Sequence, residues 1–164
     1  MIDHRFYCLR FRTRAQAMRV LFRLGFLTGR HDDGRVIDRV AGDWVALNPD
    51  GSTATVAIGK INFAPADPRT CIDEIGPLTH PDPAGTLDAD GNPVQLVSAG
   101  WHINLAYNGR LRKKLRPFVV KPNHPKREFC GRGGDQRRHY DDVDDAEMLG
   151  MDATDAQIDA IVED

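Results

Sequence analysis

Serine is nearly absent from the sequence, with only Ser52 and Ser98 in 164 residues. Neither lies in the Gly-x-Ser-x-Gly pattern that positions the nucleophile of many hydrolases. Cysteine is also scarce, and Cys8, Cys71 and Cys130 are widely spaced and odd in number. Such spacing argues against a disulfide framework and favours a reducing compartment. The composition therefore argues against a serine nucleophile and against a disulfide-stabilised fold.

Long apolar runs are missing as well. No stretch approaches the roughly 20 consecutive apolar residues that a membrane helix needs. Arg5, Arg10, Arg12 and Arg14 interrupt the N-terminal region, which therefore does not resemble a signal peptide. Hydrophobic residues still make up 41% of the chain and charged residues 28%. These proportions predict a folded core rather than a disordered chain.

The net charge of −2 conceals a strong segregation of charge along the chain. Residues 1–30 hold seven Arg and one Asp, and residues 31–109 hold four basic and eleven acidic residues. Residues 110–138 hold eleven basic and two acidic residues, and residues 140–164 hold ten acidic residues and no basic one. Alternating blocks of this kind indicate pairing within the chain or contacts with charged partners.

The N-terminal segment predicts a strand followed by a helix. Tyr7, Leu9 and Phe11 alternate with polar residues, which is typical of a half-buried strand. Thr13 and Gln16 form a capping box that predicts the start of a helix. The helix has a buried stripe of Ala17, Val20, Leu21 and Leu24, and an opposite, solvent-facing side of Gln16, Arg19 and Arg23.

The middle of the chain predicts several strands. The segment 48–51 reads Asn-Pro-Asp-Gly and predicts a turn. The apolar parity changes at Gly59 and again at Gly100, and each change predicts a β-bulge. Residues 64–93 contain six of the ten prolines, so we expect a long ordered loop there.

Together these patterns predict an α+β fold, in which one main helix packs on a face of an antiparallel β-sheet. We expect the core domain to span residues 1–130 and a charged extension to span residues 131–164. Within this extension, which we call the C-terminal arm, Thr154 begins a short predicted helix with an apolar stripe. The stripe consists of Ile158, Ile161 and Val162. A helix of roughly ten residues is marginal alone and needs a surface to dock on.

Residues that carry chemistry do not form a clear catalytic or cofactor site. His124, Cys130 and His139 are within reach of one another in sequence, but they lack the paired spacing of zinc ligands. Asp88 and Asp90 predict a polar turn rather than a calcium loop, because the glycine and the final ligand are out of place. We therefore predict no catalytic residue, no metal and no cofactor. A small metal-dependent enzyme stays open as an alternative.

The basic segment 110–138 is the best candidate for nucleic-acid binding, since its positive charges can contact several phosphates. Only Phe118 and Phe129 are available there for base stacking. The acidic residues downstream can also neutralise the segment within the same chain. A nucleic-acid-binding or regulatory protein is therefore an alternative function.

Several motifs together resemble a group of small, poorly characterised proteins of tailed bacteriophages. Residues 100–108 read Gly-Trp-His-Ile-Asn-Leu-Ala-Tyr-Asn, and residues 115–120 read Leu-Arg-Pro-Phe-Val-Val. The other matching segments are Phe6 to Phe11, Ile58 to Ile61 and Pro122 to Arg127. The resemblance spans roughly residues 5–130, and the arm after Phe129 departs from it. Such genes tend to lie among structural and tail genes, so the resemblance implies a role in the virion or its assembly.

The resulting hypothesis is a non-enzymatic virion protein, in the tail or baseplate rather than the head. It would bind other phage structural proteins, in a symmetric assembly and without contacting a membrane. The expected partner-binding residues are one basic set and one apolar set. They are Arg112, Lys113, Lys114, Arg137, Arg138, Ile158, Ile161 and Val162.

Overall fold

The computed structural model describes residues 5–82 and 84–120. Nine strands and one α-helix occur in this part of the chain, together with two short 3-10 helices. The elements in chain order are β1 (Arg5–Phe11), α1 (Arg14–Arg23), β2 (Leu27–His31), β3 (Ile37–Val40), β4 (Asp43–Leu47), β5 (Thr53–Thr55), a 3-10 helix (Ile58–Lys60), β6 (Ile61–Pro65), β7 (Cys71–Pro81), β8 (Gln95–Tyr107), a 3-10 helix (Lys113–Phe118) and β9 (Val119–Val120). The predicted α+β class is confirmed.

The main sheet has four strands in the order β7-β8-β1-β9, and all of its pairings are antiparallel. Helix α1 packs on one face of this sheet, which we call the first face. Leu9, Phe11, Ile103 and Leu105 of the sheet form one buried cluster with the helix. The cluster contains the whole predicted stripe, which is Ala17, Val20, Leu21 and the C-cap residue Leu24, and it also contains Met18, which the stripe did not include.

The start of α1 follows the predicted capping box in part. The Thr13 side chain accepts a hydrogen bond from the Gln16 backbone N–H at 3.2 Å. Gln16 itself was predicted to face solvent, and that prediction is wrong because its side chain is only 1% exposed. Its Oε1 turns back and accepts the Arg12 backbone N–H at 2.8 Å. The polar end of Gln16 is thus used as a cap while its stem is buried.

Two smaller antiparallel sheets extend the core on the side of α1. One pairs β2 with β6, and the other has the order β3-β4-β5. Trp44 joins them to the helix, since its ring lies 5.1 Å from the Phe22 ring and 5.3 Å from the Phe63 ring. The predicted turn at 48–51 joins β4 to β5, with Gly51 at a positive φ of 85°.

Two expectations for the middle of the chain need correction. The loop predicted over 64–93 is instead occupied from Cys71 to Pro81 by β7. A proline-containing strand fits there because β7 is an edge strand, where a missing N–H breaks no ladder hydrogen bond. The parity change at Gly59 is not a bulge, because a 3-10 helix there separates strands of two different sheets.

The C-terminal arm, and with it the predicted boundary near residue 130, lies outside the described residues. Within the described part of the chain, no helix is long and apolar enough to cross a membrane.

Candidate protein-interaction site

Strands β7 and β8 continue past the end of β1 as a two-stranded ribbon. Strand β1 pairs with β8 only from Trp101 to Tyr107, whereas β7 pairs with β8 as far as Gln95. Residues 77–82 and 84–100 therefore form an extension of the sheet, which we call the distal hairpin. In the described chain, residues 95–100 pair with β7 and with no third strand.

Two glycines mark the base of the distal hairpin, where the register of β7 and β8 shifts. Gly76 pairs with His102, but Leu78 pairs with Ser98, so residues 99–101 lie opposite Pro77 alone. Gly100 in this bulge has a φ of +105°, which L side chains rarely adopt. The bulge predicted at Gly100 is confirmed. An insertion of this kind bends a strand and increases its twist, so it redirects the hairpin relative to the sheet.

The distal hairpin exposes large apolar side chains. Leu96 is 40% exposed and Val97 is 63% exposed, and as neighbours in a strand they point to opposite faces of the ribbon. Leu87, closer to the tip, is 58% exposed. An isolated two-stranded hairpin is marginally stable in water, and exposed apolar clusters commonly mark contact surfaces. Both faces of the hairpin therefore carry exposed apolar side chains in the described part of the chain.

The tip of the distal hairpin is a tight polar turn. The Asp88 carboxylate accepts the backbone N–H groups of Asp90 and Asn92, each at 2.9 Å. Leu87 and Pro93 form a bridge just below this turn. The carboxylate that begins the calcium-like pattern is thus used to build the turn, as the sequence predicted.

An ion pair ties the base of the hairpin to the helix. Arg14 donates to Glu74 through Nε at 2.9 Å and through Nη2 at 3.2 Å. Trp101 Nε1 donates to the same carboxylate at 3.1 Å. Glu74 therefore links α1, β7 and β8 two residues before Gly76, and it fixes the point from which the hairpin extends.

The predicted basic contact residues divide into two groups. Arg112 precedes the second 3-10 helix, and its guanidinium donates to the Leu24 carbonyl at the end of α1. It also stacks 4.6 Å from the centre of the Phe26 ring. Arg112 thus joins the 3-10 helix to α1, while Lys113 is exposed beside it. The structure brings Arg112, Lys113 and Lys114 onto one short segment at the end of the core.

The remaining predicted contact residues lie outside the described part of the chain. Arg137 and Arg138 belong to this group, as do Ile158, Ile161 and Val162, and their roles stay predictions. The same holds for the alternative metal ligands His124, Cys130 and His139. Among the described residues, no group of three or more His, Cys, Asp or Glu side chains is placed to hold a metal ion.

His102 lies on the face of the main sheet that points away from α1, which we call the second face. Its ring is fully buried, and Nδ1 lies 2.8 Å from the Gly76 carbonyl oxygen. Since a carbonyl can only accept, Nδ1 carries the proton. Burial lowers the pKa of His102 to about 4, the Gly76 hydrogen bond opposes this shift, and the nearby Arg10 charge reinforces it.

Two tyrosines hold the chain where it leaves β8. Tyr7 donates to the Gly109 carbonyl at 3.1 Å, and Tyr107 donates to the Arg110 carbonyl at 2.5 Å. Burial raises the pKa of Tyr107 above its usual value, and the adjacent Tyr7 adds to this effect. A small pocket of about 80 Å³ opens beside Tyr107. Its lining is Asp67, Arg69, Thr70, Tyr107 and Asn108.

No protein-family model, no curated protein and no solved structure matches the chain.

The distal hairpin is the feature that the sequence analysis missed. The six prolines between residues 64 and 93 favoured a loop. The strand β7 was therefore missed, although the pattern of its partner β8 could be recognised in the sequence. Val94 and Leu96 shared a parity that changed at Gly100, and this signal marked the bulge. An apolar strand that follows a proline-rich segment needs a partner, and the nearest upstream candidate was the segment Cys71–Pro81.

Proposed function

We propose that the chain is a non-enzymatic structural or assembly protein of a bacteriophage virion, in the tail or baseplate, and that it acts by protein–protein contact. The observation that carries this proposal is the distal hairpin. It extends beyond the last strand that supports it, and it exposes Leu87, Leu96 and Val97. A partner that covers these side chains would remove apolar surface from water and stabilise the ribbon.

The two edges of the hairpin offer different contacts. The outer edge, on β7, carries Pro77 and Pro81, which have no N–H to donate to an added strand. The edge of β8 from residue 95 to 100 lacks prolines, and β1 does not extend along it. A partner strand would therefore add to β8 rather than to β7, with Leu96 and Val97 supplying contacts on the two faces.

The resemblance to small tailed-phage proteins supports the assignment to a virion. Two of the resembling segments, Phe6 to Phe11 and Gly100 to Leu105, are paired neighbours in the main sheet. Leu115 to Val120 completes the same sheet and its core through β9, Leu115 and Phe118. These three of the five resembling segments thus form the framework from which the distal hairpin extends.

The test compares matched substitutions on and off the hairpin. Leu96→Lys and Val97→Lys place a charge on the hairpin, and Leu47→Lys and Val40→Lys place one on apolar side chains of similar exposure elsewhere. Each variant is supplied to cells that assemble particles without the wild-type protein, and its amount in purified particles is measured. We expect the hairpin variants to be depleted and the control variants to be retained. Equal incorporation of all four folded variants would contradict the proposal.

Nucleic-acid binding is the second candidate, and Lys113 and Arg116 favour it because both are exposed on the second 3-10 helix. It predicts affinity for DNA that falls steeply with salt, since bound phosphates release counterions. A gel-shift series from low to physiological salt measures this slope. A steep slope that Lys113→Gln and Arg116→Gln together reduce would favour this candidate over assembly.

A further inference from the structure

The second face of the main sheet is an interior surface. Because side chains alternate along strands, Cys8, Arg10, His102, Ala106 and Val120 all lie on it. Cross-strand pairing places Cys8 beside Val120, and Arg10 beside His102. Their exposed fractions run from 0 to 6%, whereas Phe6, which lies on the same face near the start of β1, is 59% exposed. The part of this face around Cys8, Arg10 and His102 is therefore buried as deeply as the first face.

The elements that pack against the main sheet in the described part of the chain lie on its first face. Helix α1 and the second 3-10 helix cluster with Leu9, Phe11, Ile103 and Leu105 on the first face. The two smaller sheets join that same cluster through Trp44 and Phe63. Burial of the second face therefore needs a cover that α1 and the small sheets do not supply.

The chain leaves the described core at the place where this cover is needed. Val120, the last described residue, is itself 3% exposed and lies on the second face next to Cys8. The 44 residues that follow it are long enough to return across a sheet of four strands. They include the apolar stripe Ile158, Ile161 and Val162, for which the sequence predicts a docking surface.

The second face and the end of the chain carry charges of opposite sign. Arg10 is only 6% exposed, and a guanidinium buried to that degree is stable where acceptors surround it. Arg12 follows it at the next position of the same parity. Residues 140–164 carry ten acidic residues and no basic one, so they complement these arginines.

We propose that the C-terminal arm docks on the second face of its own sheet. Ile158, Ile161 and Val162 pack on the apolar patch of Cys8, Ala106 and Val120, and acidic side chains of the arm face Arg10. This docking stabilises a helix that is too short to persist alone in water. It is independent of the virion assignment. It replaces the expected contact of Ile158, Ile161 and Val162 with a partner protein by a contact within the chain, and it leaves the distal hairpin as the surface for a partner.

Disulfide trapping tests the docking in the full-length chain. In a Cys71→Ser, Cys130→Ser background, Cys8 is the sole native thiol. We add Ile158→Cys, Ile161→Cys or Val162→Cys, and as a control Ala160→Cys on the opposite side of the predicted helix. After mild oxidation we expect an intramolecular disulfide with Cys8 for at least one stripe position and none for the control. Absence of a disulfide at all three stripe positions would overturn the proposal, as would disulfides that join two chains.

Thiol protection gives a second, independent readout. In the same background, Cys8 should react slowly with iodoacetamide because it is 4% exposed. Ile158→Asp together with Ile161→Asp should raise the rate on the order of tenfold by releasing the arm, and Ala160→Asp should leave it unchanged. Circular dichroism checks that the sheet and α1 persist in each variant. A rate that stays at the wild-type value in the folded double variant would overturn the proposal.

Discussion

Arg14 and Glu74 form a two-point ion pair that joins the first turn of α1 to the edge strand β7, with N···O distances of 2.9 and 3.2 Å. Sixty residues separate the two side chains in sequence. The pair lies at the base of the distal hairpin, and Trp101 donates to the same carboxylate. The position of the hairpin is thus set by a contact between the helix and the sheet edge.

Removing this ion pair should weaken the fold modestly. We expect Glu74→Gln to lower the free energy of unfolding by about 1 kcal/mol, because the pair is bidentate but its side chains are 40% and 29% exposed. Urea denaturation of Glu74→Gln, Arg14→Gln and the double variant measures the coupling. Asp67→Asn, which breaks an exposed local pair with Arg69, serves as the control and should show no measurable change. A coupling energy of zero between Arg14 and Glu74 would contradict this interpretation.

Gly100 should tolerate no side chain. A Cβ at this position would lie 2.8 Å from the Phe11 carbonyl oxygen, and the φ of +105° adds strain. We expect Gly100→Ala to cost about 3 kcal/mol or more in thermal or urea unfolding. Gly91→Ala, with positive φ but open space, should cost about 1 kcal/mol, and Gly59→Ala should be near neutral. A Gly100→Ala variant as stable as Gly59→Ala would show that the bulge is not fixed as described.

The free energy of unfolding should decrease as the pH is lowered from 6.5 to 4, the range in which His102 titrates. The pKa of His102 is about 4 in the folded protein and about 6.5 in the unfolded chain, so the unfolded state binds the extra proton first. The contribution is complete above pH 6.5 and is lost as pH falls from 6.5 to 4, by about 3 kcal/mol in full. Urea midpoints measured across this range check the slope.

His102→Gln is the control for this pH dependence. Glutamine keeps a donor for the Gly76 carbonyl but does not titrate, so the slope between pH 4 and 6.5 should flatten. Asp33, Asp50 and Asp67 have lowered pKa values, mainly because of side-chain hydrogen bonds, and their effect on stability begins only near pH 4. An unchanged slope in His102→Gln would assign the pH dependence to other groups.

Two leucines on the distal hairpin should respond differently to truncation. Leu78 at its base is fully buried, and we expect Leu78→Ala to cost about 2–4 kcal/mol of unfolding free energy. Leu96 is 40% exposed, so Leu96→Ala should change stability by about 0.5 kcal/mol or less in the isolated protein. Chemical denaturation of both variants tests this. A large loss for Leu96→Ala would mean that the chain already covers that side chain.

Local patterns predicted the first strand, the helix and the turn at 48–51, because each depends on residues close together in sequence. The alternation of Tyr7, Leu9 and Phe11 sets the faces of β1, and Thr13 caps α1. The parity change at Gly100 also predicted a bulge correctly. These features follow from interactions between residues that are close together in sequence.

The features that sequence reasoning missed depend on long-range pairing. The number of prolines cannot distinguish a loop from an edge strand. The distinction depends on whether the outer edge of β7 pairs with another strand, and this is decided by the fold as a whole. The helical pattern predicted that Gln16 faces solvent, but its side chain is buried because it accepts the Arg12 backbone N–H. The roles of Glu74 and Arg112 were equally hidden, since their partners lie 60 and 88 residues away.

The most direct test of the proposed virion role is mass spectrometry of phage particles purified from cells that carry the gene. A structural protein of the virion should be present in intact particles, at a fixed ratio to the major capsid and tail proteins. Its absence from intact, infectious particles, with the protein present in the same lysate, would contradict a structural role in the virion.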